Sequence, residues 1–326
     1  ANITQAPQPE APQANEKPVT EALQDKPAAQ QDDPIELVVT GEQDGYRAQE
    51  ATTATRTNTP LRDIPQSIQV IPQQVIQDQQ ATRLVEVLKN APGVVLGGRS
   101  PRDPLNIINI RGFDASNDIL INGLPDPTSS EIAFGSNIER VEVLKGPASV
   151  LFGQGGLGGS VNLVTKQPLP TPFYSVEASA GSYNLYRGAI DLTGPLNESK
   201  TVLYRLNASA QTRESFIDFY GHRDYLVAPS LAFQLGDKTK LTLAAEYALS
   251  EGTYDFGLPP RGTVLPNPNG RIPRNRFVSE PDFNDTSNEV FRIGYDFEHR
   301  FSDDWQARSV FRTSLFRLRR DTVFPL

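Results

Sequence analysis

After residue 170 the chain settles into a regular alternation of side-chain character that is sustained to its end. In one segment Val202, Tyr204, Leu206, Ala208 and Ala210 face one way, with Arg205, Asn207, Ser209 and Gln211 facing the other. In another, Phe291, Ile293, Tyr295 and Phe297 oppose Arg292, Gly294, Asp296 and Glu298. Successive side chains of a strand point to opposite sides, so these segments are strands with one apolar and one polar face. Strands of soluble sheets average ~5–6 residues, whereas a membrane-crossing strand needs ~9–11. The spacing predicts strands near 173–181, 184–193, 201–212, 224–235, 239–250, 288–300 and 305–318, and their length favours a membrane barrel. Connections near 195–200, 236–238 and 302–304 are short, while those at the opposite end, 213–223 and 251–287, are long. Bacterial outer-membrane barrels keep this parity, with short periplasmic turns and long external loops; only 182–183 breaks it.

Composition agrees. Hydrophobic residues make up 37% of 326 and the mean hydropathy is −0.41. Apolar stretches such as 141–144, itself interrupted by Glu142, and Leu243-Ala244-Ala245 fall far short of the ~20 residues of a spanning helix. Alternating strands average out to a polar sequence, so low hydropathy does not exclude a membrane protein. With no Cys and no Met, disulfides, thiolate metal sites and cysteine nucleophiles are excluded. Ala1 is not expected to be a translation start, and any secretory signal is expected to have been cleaved or to lie outside this sequence. The net charge of −8 is uneven: residues 1–59 hold ten acids against four bases, leaving the remainder nearly neutral. No basic stripe remains to neutralise phosphates, and no nucleic-acid partner is expected.

The first half divides by texture. Residues 1–33, rich in Ala, Gln, Pro and acids, read as a disordered linker. A short β-prone island occupies 34–41, and a polar, Thr-rich linker is expected over 42–59. From Pro60 to about residue 168 the pattern is compact α/β. A strand is expected at 67–71, followed by a helix at 73–79 opened by Pro72. A second helix carries Leu84, Val85 and Leu88 on one face; Thr82 is its expected N-cap, and Asn90-Ala91-Pro92-Gly93 stops it. Short strands then follow at 94–96, 107–111, 118–121, 138–144 and 160–165, with Asn122-Gly123 as a tight turn.

Motifs of other chemistries are weak. Gly153-Gln154-Gly155-Gly156-Leu157-Gly158 fits G-x-G-x-x-G, but that fingerprint must follow a strand and open a helix. Here a short helical stretch is expected before it and a strand after it, so the glycines are read as permitting positive dihedrals or close approach. Only His222 and His299 are present, so no His cluster can hold a metal. No nucleophile, base and orienting group stand out, and an enzyme is not expected.

A series of phrases in order carries a family resemblance: Leu61-Arg62-Asp63-Ile64-Pro65-Gln66-Ser67-Ile68, Leu88-Lys89-Asn90-Ala91-Pro92-Gly93-Val94, Ile110-Arg111-Gly112-Phe113, Ile121-Asn122-Gly123, Ile138-Glu139-Arg140-Val141-Glu142-Val143-Leu144-Lys145-Gly146-Pro147, Leu151-Phe152-Gly153 and Gly158-Gly159-Ser160-Val161-Asn162-Leu163. From about Ile35 onward the chain resembles the TonB-dependent siderophore receptors of the bacterial outer membrane, and most nearly the ferric-hydroxamate type. The resemblance implies an α/β plug domain over 60–168, followed over 171–326 by about seven strands of an antiparallel transmembrane β-barrel with 22 strands in the full protein. It implies import of a ferric siderophore, with iron arriving as a chelate and no resident cofactor. Its partners would be the C-terminal domain of TonB in the periplasm, the chelate, and outer-membrane lipid.

Ile35, Glu36, Leu37, Val38, Val39 and Thr40 resemble the TonB box. Such an extended segment on a tether would couple energy by adding a strand to a partner's open sheet. The family's ligand contacts, carried onto this chain, fall on Arg99, Ser116, Asn117, Pro127, Ser129 and Ser130; an Arg fork suits the oxygen-rich face of a ferric chelate. The family's aromatic contacts are missing at 127–130, which separates this chain from the best-known hydroxamate receptors. Arg111 and Lys145 match plug positions that pair with barrel carboxylates. Rival readings are a passive porin, which predicts no plug; a receptor for cobalamin or a glycan, since fold does not fix cargo; a signalling receptor, needing a further upstream domain; and a soluble β-protein.

Overall fold

The computed structural model describes residues 45–57, 59–96, 107–126, 128, 135–147 and 155–323, all within one compact unit, Leu37–Leu326. The segment 35–40, Arg99, Pro127, Ser129, Ser130 and the short helical stretch expected near 147–152 lie wholly or largely outside the described residues.

The first part is built on a five-stranded sheet. Its strands are β3 (Ser67–Pro72), β7 (Ile119–Ile121), β8 (Leu124–Pro125), β9 (Ile138–Lys145) and β10 (Gly159–Thr165), in the order β3-β9-β10-β7-β8. β10 runs antiparallel to β9 and parallel to β7. The helices α1 (Gln73–Asp78) and α2 (Leu84–Leu88) help bury the core of Ile71, Leu88, Ile108, Ile110, Val141 and Val161. Pro72 ends β3 and is the N-cap residue of α1, its fixed φ serving both. Thr82 does not cap α2. The N-cap residue is Arg83, and the Glu86 carboxylate accepts from the Thr82 and Arg83 amides at 2.9 and 3.1 Å, so an acid in the first turn reaches back to fasten the two residues ahead of the helix. A small sheet of β4 (Val94–Leu96), β5 (Ile108–Ile110) and β6 (Phe113–Asp114) stands beside the main one. Its β5-to-β6 turn places Arg111 and Gly112 at φ 53° and 87°.

The polar stretch over 42–59 is not a free linker once it reaches Gly45. β1 (Glu50–Ala51) pairs with β2 (Thr59–Pro60), and Ala51 and Thr53 are buried. The reason is local: Ala51 packs with Ile64 and Val70 in a small apolar cluster, and the threonines find a buried acceptor described below.

The second part is a seven-stranded antiparallel sheet in sequence order. It comprises β11 (Phe173–Gly181), β12 (Leu185–Pro195), β13 (Val202–Glu214), β14 (Gly221–Gln234), β15 (Thr239–Gly252), β16 (Asn284–Arg300) and β17 (Gln306–Thr322). β11 and β17 are its two ends, so the sheet does not close on itself among the described residues. The strands run longer than expected. β13 and β14 take up five residues of 213–223, leaving a connection at 215–220 no longer than that at 196–201. The contrast in loop length therefore rests on 253–283.

The two faces are inverted relative to a soluble sheet. Asp191, Arg205, Asn207, Gln211, Asp224, Thr242, Asn288 and Arg292 are buried, whereas Val176, Tyr186, Val227, Leu243, Phe291, Ile293, Phe311 and Leu315 are exposed. An apolar exterior around a polar interior is the pattern of a wall that faces lipid outside and a filled lumen inside. Among the described residues no helix is long and apolar enough to cross a membrane.

Candidate functional site: the joints between plug and wall

The first joint sits where β8 ends. Asp126 is buried and accepts from Arg292 Nε of β16 at 2.7 Å. Arg292 also donates to Thr128 Oγ1 at 2.7 Å and pairs with Glu246 of β15. Glu246 accepts in turn from Asn137 Nδ2 at 2.7 Å. Arg312 of β17 clasps the β7–β8 turn, donating to the carbonyls of Ile121 and Leu124, both at 2.9 Å. Two wall guanidiniums thus meet one plug carboxylate, Asp126, across the interface, while Glu246 pairs with Arg292 within the wall. Burial alone would raise the pKa of Asp126, but Arg292, Thr128 and Arg312 together outweigh it and hold the carboxyl below its ordinary range.

A second joint fastens the passage from β10 into β11. Asp191 of β12 receives Arg205 Nε and Nη2 at 2.8 and 2.7 Å and Lys166 Nζ at 2.9 Å. Arg205 Nη1 also donates to the Gln167 carbonyl at 2.7 Å. The bidentate fork fixes direction as well as distance. A third, smaller contact ties the N-terminal segment to the wall through Arg308 Nη1 and the Arg56 carbonyl, 3.2 Å apart.

Of the expected site residues that are described, Ser116 and Asn117 lie together on the 115–118 turn. The Ser116 hydroxyl accepts from Ile108 N at 3.1 Å, and its Oγ and amide both donate to Asp114 at 2.6 and 2.8 Å, holding that carboxyl below its usual range. Ser116 is thereby committed to the turn, while Asn117 is exposed. Arg111 and Lys145 are brought near each other, and neither has an ion-pair partner among the described residues. Burial, and after it the charge of Arg111, lowers the pKa of Lys145 below its ordinary value. Glu246, a barrel carboxylate within this chain, is taken up by Arg292 and Asn137 instead.

The glycine-rich run opens strand β10, not a helix. Gly159 has φ +137°, and a Cβ there would lie 2.0 Å from the Leu144 carbonyl oxygen. The run serves close backbone packing, and the described part offers no phosphate cradle. Among the described residues no group of His, Cys, Asp and Glu is arranged to hold a metal.

Residues 60–160 match the TonB-dependent receptor plug domain. The chain belongs to the TonB-dependent outer-membrane receptors. Among relatives of this siderophore-receptor type, it is 38% identical over 270 residues to the metal-pseudopaline receptor of Pseudomonas aeruginosa, covering 81% of this chain and 37% of that protein. It is 30% identical over 284 residues to the ferrichrome outer membrane transporter/phage receptor of Escherichia coli K12, covering 85% and 38%. The crystal structure of the ferric-catecholate import receptor of Escherichia coli K12 in its closed form superposes with a TM-score of 0.76 at 29% identity, covering 85% of this chain and 40% of that one. The chain therefore spans under half the length of these TonB-dependent receptors. The expectations of an outer-membrane location, a plug and the beginning of a barrel wall agree with this membership, and each relative is named as a receptor or transporter, not an enzyme.

Proposed function

We propose that the full-length receptor captures a ferric chelate, a siderophore or metallophore, at the cell surface and imports it with energy delivered by TonB to residues 35–40. The observation that carries this reading is the chemistry of the plug-to-wall joint. Asp126, Thr128 and Asn137 meet Arg292, Glu246 and Arg312 through ion pairs and hydrogen bonds. Separating an apolar interface would cost about 25 cal/mol for each Å² exposed. Carboxylates and guanidiniums regain water when parted, so a pulled plug can leave its seat and return. A passive porin has no use for such a plug.

Within this class our narrower reading is a hydroxamate or citrate-hydroxamate chelate. It rests on Arg99, with Ser116, Asn117, Pro127, Ser129 and Ser130 as further contacts. The relatives' names span pseudopaline, ferrichrome and catecholates, so Arg99 alone supports this choice. We also propose that Arg111 and Lys145 meet carboxylates on wall strands following Leu326, since two adjacent cations call for anionic neighbours.

The test is a binding titration of the full-length receptor with ferric hydroxamate, citrate-hydroxamate and catecholate chelates and with cobalamin. Tightest binding to one of the first two is expected. Binding of cobalamin alone would overturn the ferric-chelate reading and leave the receptor assignment standing.

A further inference from the structure

Glu142 of β9 has no solvent exposure, yet its carboxylate is crowded with donors. It accepts from the amides of Thr52 and Thr53 at 3.0 and 2.8 Å, from their hydroxyls at 3.2 and 2.5 Å, and from Arg140 Nε at 2.7 Å. Thr53 Oγ1 also accepts from Asn162 Nδ2 at 2.9 Å. The chain arriving from 35–40 is thus received by a buried carboxylate on β9, the strand next to edge strand β3 of the plug sheet.

We infer that Glu142 is the positioning residue through which tension on the N-terminal segment enters the plug. The inference rests on the reading of 35–40 as the energy-coupling segment. Among the described residues ahead of it the other fastenings are weaker, and the apolar cluster engages them only through the small side chains of Ala48 and Ala51. Tyr46 makes one exposed hydrogen bond to Asp78, where water competes and the net contribution is small. The β1–β2 ladder is two residues long. Bonds to an ionised acceptor are roughly twice as strong as neutral ones, and those of Glu142 are shielded from water.

Register shows where such a load goes. Val70, Glu142, Asn162, Leu120 and Pro125 lie opposite one another in turn across β3, β9, β10, β7 and β8. The row ends one residue short of Asp126, which is held by the wall. A pull on Thr52 and Thr53 is delivered along this row to the joint with Arg292, and a peripheral loop does not absorb it.

The experiment is single-molecule pulling on the full-length receptor in lipid discs, with two tethers. A covalent tether at the N-terminus reads the force of the first resisted event; a tether carrying the C-terminal domain of TonB reads whether 35–40 is the handle. With the covalent tether, Glu142→Gln, which leaves a neutral acceptor, is expected to lower the first event by roughly half, and Thr53→Val, which keeps volume and the amide but removes one of the five donors to the carboxylate, is expected to lower it by a smaller, measurable step. Affinity for the TonB domain should be unchanged in both. A first event of wild-type force in Thr53→Val would overturn the inference, and that variant suffices if Glu142→Gln does not fold. Failure of the TonB domain to hold wild-type receptor would instead overturn the coupling reading, whatever the covalent tether records.

Discussion

Asp126 of the plug and Arg292 of the wall stand 166 positions apart in sequence and 2.7 Å apart in space, both buried. Such a pair contributes modest net stability, because desolvation offsets most of the attraction, but losing one partner strands the other. Arg292→Ala in the full-length receptor is therefore expected to cost about 3–5 kcal/mol, read as a lowered denaturant midpoint. Replacing both carboxylates along with the guanidinium, Asp126→Leu and Glu246→Leu with Arg292→Met, leaves no buried carboxylate without its partner and should recover most of that loss. A single substitution with a wild-type midpoint would show that the joint is not a unit.

The same joint has a pH signature. The Asp126 carboxyl is held below its ordinary range, so its folded pKa is depressed. Its contribution is complete above the ordinary carboxylate value, near pH 4, and is lost as pH falls through the lower folded value. Amide exchange over 119–126 is expected to stay slow through neutral and mildly acidic pH and to quicken only below about pH 4. Quickening already near pH 6 would point to a different titrating group.

Leu37→Pro removes a backbone donor from the proposed coupling segment. Chelate binding to whole cells should be retained while energised uptake is abolished. Uptake at the wild-type rate would remove residues 35–40 from the mechanism.

Gly159→Ala places a Cβ against the Leu144 carbonyl oxygen at a positive φ. Backbone strain of this kind costs on the order of 1–3 kcal/mol before the clash is counted. Reduced outer-membrane yield and a protease-sensitive plug are expected, whereas Gly270→Ala, in open space on the long loop, should leave the plug unaffected.

Much of the wall could be read directly from the chain. Alternation alone puts Arg205 and Arg292 on the polar face, and both are buried there. Their partners were hidden, because the strand period says which way a side chain points but not which plug loop lies opposite. Arg111 and Lys145 were singled out by resemblance, whereas Asp126, Glu246 and Asp191, which make the joints within this chain, carried no local signal. Glu142 was the least legible. A glutamate between valines in an alternating strand looks like a residue facing water; it is buried because residues 45–57, themselves too polar to suggest packing, fold over it.

The open ends of the seven-stranded sheet carry a practical consequence. β17 extends over Gln306–Thr322 with no neighbour on its far side, and β11 presents the opposite margin. Unpaired margins of this length are adhesive, offering donors and acceptors to any strand that arrives. In the barrel proposed for the full-length receptor, further strands would pair with both margins. Expressed alone, this chain would meet them first on other copies of itself, and ordered aggregation would compete with insertion.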